Sequence, residues 1–375
     1  MNAMSWPIGI ERTLRELFTI SREFGSNSDY VLAGGGNTSW KNDEIMFVKA
    51  SGETLANLDR DGIVAMDMKR IDKIWSARYP VGQKEREDAA LYDLMNARRL
   101  GEEEKRPSVE SLLHAFFPFH FVIHTHPALV NGLTCAKKGE KTVRRIFGAD
   151  ATWIPVIEPG YVLAKAVKET IEARLAGGGV FPPMLFLQNH GVFVAADTVE
   201  EIRELYRIIF EAINAEISKH PNEVELSIDG SATNKIQEAL PGFTILPFAT
   251  ADILNFAASW EAFKSLRLAL TPDHIVYFGY RPLYVESWKK LLWNIEEFKR
   301  DDENRPPRII VVKNVGAFSC HENPRKAELA KLLFLDNVKI AIYTESFGGA
   351  MFMPDWLIRF IRTWEIETYR ASVTK

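Results

Sequence analysis

Residues 121–127 of this 375-residue chain are Phe-Val-Ile-His-Thr-His-Pro, and their β-branched and aromatic character predicts a strand. Side chains alternate between the two faces of a strand, so His124 and His126 project to the same side. Two imidazoles at this spacing can bind one divalent metal ion. Structural histidines also occur in such pairs, so the interpretation as a metal site depends on the surrounding motifs.

A third histidine, His190, lies in a second β-rich segment, residues 184–194, directly before Gly191. We expect this histidine to lie in a strand as well. Three neutral imidazoles with one open coordination position are typical of catalytic rather than structural zinc sites. The sequence therefore predicts that His124, His126 and His190 bind Zn²⁺ or another divalent metal ion.

A carboxylate, Glu110, precedes the strand that carries the histidine pair. It lies at the start of a predicted helix with Ser108 as N-cap, and His114 follows one turn later on the same face. A carboxylate at a helix start can simply complement the helix dipole. Its place just before the predicted metal strand makes Glu110 the candidate general base.

Two glycine-containing segments lie nearer the N-terminus, Gly-Gly-Gly-Asn-Thr-Ser at 34–39 and Lys-Ala-Ser-Gly at 49–52. Glycine permits backbone conformations that turn successive N–H groups toward an anion. The side chains that add donors are Asn37, Thr38, Lys49 and Ser51. On their own the two segments would be interpreted as hairpin turns, but beside a metal site they are candidates for binding a substrate anion.

Composition excludes several classes of partner. The net charge of -4 offers no global field for nucleic acid or an anionic membrane, and no apolar run approaches the roughly 20 residues of a membrane span. The two cysteines, Cys135 and Cys320, are far apart, which argues against a disulfide scaffold and suits a reducing cytoplasm. We expect a cytoplasmic protein whose partners are small molecules.

The chain is longer than one hydrophobic core usually supports, which predicts two domains. A polar segment with proline, glycine and asparagine at 218–242 is the predicted linker between domains at 1–217 and 243–375. Strand-like and helical patterns alternate through both, which predicts an α/β fold.

Two pairs of segments suggest an internal repeat. Residues 118–122 resemble 272–276, and residues 189–193 resemble 314–318. In this alignment Phe278, Tyr280 and Val315 take the places of His124, His126 and His190. The second domain would then be a degenerate copy of the first that has lost its metal; chance similarity of two β segments is the alternative.

Taken together, these motifs resemble the class II aldolase/adducin family over residues 10–217. They are Gly-Asn-Thr-Ser at 36–39, Ser-Gly at 51–52, Pro-Ser-x-Glu at 107–110, His-x-His at 124–126 and Gln-Asn-His-Gly at 188–191. The resemblance implies a three-layer α/β/α domain with a largely antiparallel central sheet, zinc bound by the three histidines, and Glu110 as acid/base. It also implies a homo-oligomer, and phosphate binding by Asn37, Ser51, Gly52 and Ser108.

Residues 243–375, which contain Trp-Glu-Ile-Glu-Thr-Tyr at 364–369, look like the central region of the bifunctional rhamnulose-1-phosphate aldolase/alcohol dehydrogenases. No Gly-x-Gly-x-x-Gly follows a predicted strand, so we expect only the aldolase part and no nicotinamide binding. The implied reaction is zinc-dependent retro-aldol cleavage of a ketose 1-phosphate, of rhamnulose or fuculose type, to dihydroxyacetone phosphate and an aldehyde. The alternatives are a sugar-phosphate 4-epimerase or dehydratase with the same metal site, and a non-catalytic adducin-like interaction module.

Overall fold

The computed structural model describes residues 8–364. Residues 1–7 and 365–375 lie outside the described part, and with them most of the motif at 364–369. The described residues form twelve strands and fifteen α-helices. No helix among them is both long enough and apolar enough to cross a lipid bilayer.

The strands are β1 Asn37–Lys41, β2 Ile45–Lys49, β3 Ile63–Asp67, β4 Phe121–Thr125, β5 Ala151–Ile154, β6 Met184–Leu187, β7 Gly191–Ala196, β8 Glu225–Leu226, β9 Thr244–Thr250, β10 Leu283–Val285, β11 Ile309–Val312 and β12 Gly316–His321. The helices are α1 Ile8–Gly25, α2 Met68–Ser76, α3 Gln83–Asn96, α4 Ser111–Phe116, α5 Ala128–Thr134, α6 Gly139–Phe147, α7 Tyr161–Ala176, α8 Val199–Asn214, α9 Gly230–Ala239, α10 Ala251–Ala257, α11 Trp260–Phe263, α12 Pro272–Phe278, α13 Leu291–Asp301, α14 Pro324–Glu345 and α15 Asp355–Thr363.

The described chain divides into two compact units. The first contains residues 8–127 and 143–212, and the second contains residues 128–142 and 213–364. The chain therefore leaves the first unit directly after β4 and returns to it before β5. Helix α5 lies in this excursion and packs against α14 of the second unit, where a Cβ on Gly132 would come within 2.2 Å of the Tyr343 Cβ.

The segment predicted as a linker, residues 218–242, is not devoid of regular structure. It contains β8 and α9, and α9 forms because Ala232 and Ile236 give it a buried apolar face. Asp229 caps this helix by accepting a hydrogen bond from the Ser231 backbone N–H at 3.1 Å. The polar composition of the segment reflects the exposed residues of β8, of α9 and of the loops around them.

The first unit is built around a seven-stranded sheet with the order β3-β2-β1-β4-β7-β6-β5. Neighbouring strands are antiparallel throughout except for β5 and β6, which are parallel and joined through α7. The predicted largely antiparallel central sheet is confirmed. Strand β4 occupies the middle of the sheet, so its side chains are buried on both faces.

Helices cover both faces of this sheet. Helices α2, α3, α4 and α7 share one core with the sheet, and Val64, Leu112 and Val167 are among its buried members. On the opposite face Tyr206 of α8 donates to or accepts from Thr125 at 2.7 Å, and Phe24 of α1 packs edge-on against its ring. The three-layer α/β/α arrangement is confirmed.

The second unit contains a five-stranded sheet with the order β10-β11-β12-β9-β8. Strands β10 and β11 are parallel, and the other neighbouring pairs are antiparallel. Helices α9 and α13 pack on one face through Ile236, Ile295 and Phe298. This unit is a second α/β domain, as predicted.

One half of the predicted internal repeat is wrong. Residues 272–276 belong to helix α12, whereas residues 118–122 lead into strand β4, so the two segments cannot be equivalent. Thr271 caps α12 through the His274 backbone N–H, and Pro272 occupies the first helical turn, where proline is favoured. Phe278 and Tyr280 are therefore not counterparts of His124 and His126.

Candidate metal and substrate site

Two of the predicted metal ligands lie at one end of β4. His124 is fully buried within the strand, and His126 follows the last strand residue, held by a hydrogen bond from its backbone N–H to the Tyr30 carbonyl at 3.0 Å. Strand alternation places Val122, His124 and His126 on the face covered by α4. The Nε2 atoms of the two histidines are 2.9 Å apart.

The third predicted ligand, His190, lies in a turn between β6 and β7 and not within a strand, contrary to the expectation. Asn189 adopts a left-handed conformation with φ of 56°, which reverses the chain, and the His190 backbone N–H donates to the Leu187 carbonyl at 3.2 Å. Asparagine tolerates this conformation better than most residues. The turn brings His190 Nε2 to 3.4 Å from His124 Nε2.

Gly191 allows this turn to approach β4 closely. A Cβ at this position would lie 2.4 Å from the Thr125 carbonyl oxygen and 2.7 Å from the His126 ring. Any side chain would force the hairpin away from β4, and the His190 imidazole would move with it. Glycine next to the third ligand is thus a requirement of the site geometry.

Two neighbours of the His124 ring determine its orientation and which of its nitrogens faces the site. Its Nδ1 lies 3.0 Å from the Val192 carbonyl, which can only accept, so Nδ1 carries the proton. Nε2 is then left with its lone pair toward the other histidines. Phe193 stacks on the imidazole with ring centroids 4.0 Å apart and holds the ring plane. A neutral histidine oriented by a backbone carbonyl is the usual state of a metal ligand.

The three histidines fit a divalent metal ion. One ligand nitrogen from each of His124, His126 and His190 lies within 4.8 Å of the others. A tetrahedral zinc ion with bonds of 2.0–2.1 Å requires nitrogens about 3.4 Å apart, close to the two shorter separations here. His126 and His190 are only partly buried, so a substrate can reach the site.

Glu110 lies beside the histidine cluster. Its Oε2 is 3.6 Å from His124 Nε2, and its Oε1 is 3.6 Å from His190 Nε2. The carboxylate is buried. Oε2 accepts a hydrogen bond from Asn37 Nδ2 at 2.6 Å, whereas Oε1 has no hydrogen-bond partner within residues 8–364. The unpartnered oxygen is the one on the His190 side.

Helix α4 begins two residues later than predicted. Glu110 occupies the N-cap position and Ser111 is the first helical residue, so Ser108 is not the cap. Ser108 instead accepts a hydrogen bond from the Glu110 backbone N–H at 3.3 Å, and its carbonyl accepts from Ser111. Ser108 thus shapes the turn that positions Glu110.

A buried histidine, His114, supports this arrangement, a role that no sequence motif predicted. Its Nε2 contacts Asn37 Oδ1 at very short range, and its Nδ1 lies 2.7 Å from Ser39 Oγ. Burial lowers the pKa of His114 well below its ordinary value, and His124 and Lys41 lower it further. The spacing of four residues between Glu110 and His114 is the feature of the sequence that could have indicated this role.

The two predicted anion-binding segments meet near Glu110. A β-bridge between Ala50 and Pro107 joins residues 49–52 to residues 106–108, and the Ser51 backbone N–H donates to the Arg106 carbonyl at 2.7 Å. Gly52 adopts φ of 90°, a conformation that favours glycine. The structure therefore brings Ser51, Gly52 and Ser108 together.

Two other predicted donors are placed differently. The Lys49 ammonium is buried and donates to the carbonyls of Glu53 at 2.6 Å and Ala50 at 3.3 Å, so it supports the turn from within. Thr38 lies on the opposite face of β1 from Asn37, where its hydroxyl contacts Ser21 Oγ at 2.8 Å. Thr38 is thus not brought together with the histidine cluster.

Comparison with known proteins gives matches over most of the chain. A curated relative is the uncharacterized oxidoreductase YuxG of Bacillus subtilis strain 168, which is 22% identical over 426 aligned residues. The match covers 99% of this chain and 59% of the relative, so the chain spans less than two thirds of that protein's length.

Similar solved structures cover the first half. The N-terminal class II aldolase domain of a conserved protein from Thermoplasma acidophilum is 26% identical with a TM-score of 0.47, covering 57% of this chain and 98% of that one. An L-fuculose 1-phosphate aldolase is 15% identical with a TM-score of 0.38, covering 57% and 87%. The model of the class II aldolase and adducin N-terminal domain matches residues 15–216, more than half of the chain. The chain therefore belongs to the class II aldolase and adducin family.

Proposed function

We propose that this protein is a cytoplasmic, zinc-dependent aldolase that cleaves a ketose 1-phosphate of rhamnulose or fuculose type to dihydroxyacetone phosphate and an aldehyde. The observation that carries the proposal is the position of Glu110, with an unpartnered buried carboxylate oxygen 3.6 Å from His190 Nε2 in a three-histidine cluster. An interaction module would have no use for such an arrangement. Family membership and the α/β fold support the same conclusion.

His124, His126 and His190 would hold the ion, which when bound supplies Lewis-acid stabilisation of developing negative charge on the substrate oxygens. Glu110 Oε1 removes a proton from the hydroxymethyl carbon of dihydroxyacetone phosphate in the condensation direction. In the cleavage direction the same oxygen returns the proton after the carbon–carbon bond has broken. Asn37 holds Oε2 throughout, so only Oε1 exchanges the proton.

The substrate phosphate would bind where residues 49–52 and 106–108 meet. Ser51, Gly52 and Ser108 offer backbone and hydroxyl groups there. Asn37 is bonded to Glu110 and Thr38 faces the other side of β1, so neither is assigned a direct contact with the phosphate. The Lys49 ammonium contacts two carbonyls of the turn and keeps it in shape. Phosphate binding remote from the reacting carbon orients the substrate. We also propose a homo-oligomer, as the family resemblance implies.

The first experiment measures proton–deuterium exchange at dihydroxyacetone phosphate by NMR in heavy water with zinc-loaded protein. It requires no knowledge of the aldehyde. We expect loss of one C–H signal, no loss after treatment with a chelator, and recovery when zinc is restored. Exchange would establish the proton transfer. Its absence with zinc verified in place would contradict an aldolase that forms dihydroxyacetone phosphate and favour the epimerase or dehydratase reaction, which sugar-phosphate product analysis can identify.

A further inference from the structure

A buried chain of side-chain hydrogen bonds ends at Glu110. Ser39 Oγ contacts His114 Nδ1 at 2.7 Å, His114 Nε2 contacts Asn37 Oδ1, and Asn37 Nδ2 contacts Glu110 Oε2 at 2.6 Å. Ser39 and His114 are fully buried, and Asn37 is 6% exposed. Helix α4 supplies the histidine and strand β1 supplies the two smaller residues.

Glu110 determines which atom is the donor in each of these hydrogen bonds. An ionised carboxylate can only accept, so Asn37 must turn its NH₂ group toward Glu110 and its Oδ1 toward His114. His114 Nε2 must then carry the proton, and Nδ1 must accept from the Ser39 hydroxyl. The lowered pKa of His114 keeps the ring neutral, which this assignment requires.

We propose that His114 is a positioning residue for the reaction, which fixes the Asn37 amide so that it binds Glu110 Oε2 and leaves Oε1 for the substrate proton. The inference rests on the proposed function of Glu110. With the amide reversed, Asn37 Oδ1 would face the carboxylate, and two acceptors would repel each other. The carboxylate would then turn away from His190.

The test that does not depend on activity is the protonation state of His114 in the wild-type protein. In a spectrum of zinc-loaded protein with ¹⁵N-labelled histidine, we expect His114 as the neutral Nε2–H form, assigned by its absence in His114→Gln. The Nδ1–H form or an imidazolium signal would overturn the proposal, whether or not the protein proves to be an aldolase.

A pair of variants tests the consequence for turnover. Glutamine can place an amide N–H near the position of Nε2, whereas methionine has similar length and no donor. We expect His114→Met to keep its zinc and lose about 10- to 100-fold in kcat for exchange, with KM changed by less than about threefold. His114→Gln should recover most of that loss. Equal impairment of the two zinc-loaded variants, or full activity of His114→Met, would contradict the positioning role.

A second inference concerns the C-terminal unit, whose strands repeat the connections of the first. In the first sheet, β5 leads through α7 to its parallel neighbour β6, then by a turn to β7 and on to α8; β4 pairs with β7. In the second sheet, β10 leads through α13 to its parallel neighbour β11, then by a turn to β12 and on to α14; β9 pairs with β12.

The two turns agree in detail. Asn314 adopts φ of 57° where Asn189 adopts 56°. The Val315 backbone N–H donates to the Val312 carbonyl at 3.0 Å, at the same spacing as the bond from His190 to Leu187. The similarity of residues 189–193 to 314–318 thus coincides with equivalent turns.

The register then identifies the counterparts of the metal ligands. His124 pairs with Phe193, two residues after Gly191, and Pro247 pairs with Phe318, two residues after Gly316. By the same count His126 corresponds to Ala249, and His190 to Val315. A Cβ on Gly316 would lie 2.6 Å from the Ile228 side chain and 3.1 Å from the Phe248 carbonyl, so Ile228 fills the space beside this turn.

We infer that the second unit is a repeat of the first fold in which Pro247, Ala249 and Val315 replace the three histidines. It contributes no metal ligand of this type at that position. Duplication within the chain explains why strand order, pairing directions and turn conformation agree together. It also corrects the alignment suggested by residues 118–122 and 272–276.

A ligand graft in the 375-residue chain tests the inference. In a background with His124, His126 and His190 changed to alanine, we combine Ile228→Ala, Pro247→His, Ala249→His and Val315→His. Zinc binding should return from none to about one ion per chain. The control variant carries Asn314→His in place of Val315→His, with the other changes kept, and should bind no zinc. A folded graft without zinc would refute the equivalence. Should the graft not fold, zinc titration of the wild type decides, since two equivalents would contradict the inference and one would support it.

Discussion

Replacing Glu110 by glutamine is expected to abolish exchange at dihydroxyacetone phosphate while the protein keeps its zinc. The amide has the shape of the carboxylate but cannot take up a proton at Oε1. We expect a loss of about 10³-fold or more, equivalent to about 4 kcal/mol of transition-state stabilisation. The measurements are the exchange rate by NMR in heavy water and the zinc content by elemental analysis.

A matched control for this variant is Glu104→Gln, because Glu104 precedes the same helix and is exposed. It should exchange at the wild-type rate. A Glu110→Gln protein with full zinc and undiminished exchange would show that another group removes the proton. In the Glu110→Gln variant, Asn37 Nδ2 faces an amide in place of a carboxylate, so a small change in thermal stability is expected. That change does not bear on the role of Glu110 as base.

Replacing His190 by alanine is expected to remove the metal and, with it, all turnover. His190 Nε2 lies 3.4 Å from His124 Nε2, and its loss leaves two ligands from one strand. Loss of a supporting partner of a metal ligand alone costs 10- to 100-fold in affinity, so loss of a ligand should cost at least about 100-fold. Competition with a chromogenic chelator measures this directly.

The control for the metal prediction is His120→Ala. His120 is exposed and donates from Nδ1 to the Lys41 carbonyl at 2.9 Å. It precedes the first residue of β4, whereas His126 follows the last. It should bind zinc with wild-type affinity. Undiminished zinc affinity in His190→Ala would mean that the ion is held by other groups, and the three-histidine assignment would have to be abandoned.

The sequence predicted the parts of this site that depend on strand alternation. His124 and His126 share a face because two residues separate equivalent side chains in any strand, whatever surrounds it. The same rule separates Asn37 from Thr38 on β1, and applying it to the segment 34–39 would have excluded Thr38 from the site. The family motifs predicted Glu110 beside the histidines, and the structure places its two carboxylate oxygens 3.6 Å from His124 Nε2 and His190 Nε2.

Other features depend on packing that no local pattern encodes. The turn at Asn189 requires a left-handed conformation, which a strand-like composition around His190 conceals. The Lys49 ammonium contacts carbonyls of its own turn, although a lysine beside a glycine loop suggests an anion contact. The counterpart of β4 in the second unit, β9, has no residue-level similarity to it, so only strand pairing could identify it.

The excursion of residues 128–142 from the first unit has a consequence for how this protein can be made. Helix α5 buries Val130 and Leu133, and it packs against α14, which ends at Glu345. On the ribosome, α5 emerges long before its packing partner exists, and it must wait for nearly two hundred further residues. A fragment cut at the sequence-predicted boundary after residue 217 would leave that apolar helix permanently uncovered. Dissection of this protein into independently expressed halves therefore calls for split sites chosen around α5, or for co-expression of the two pieces.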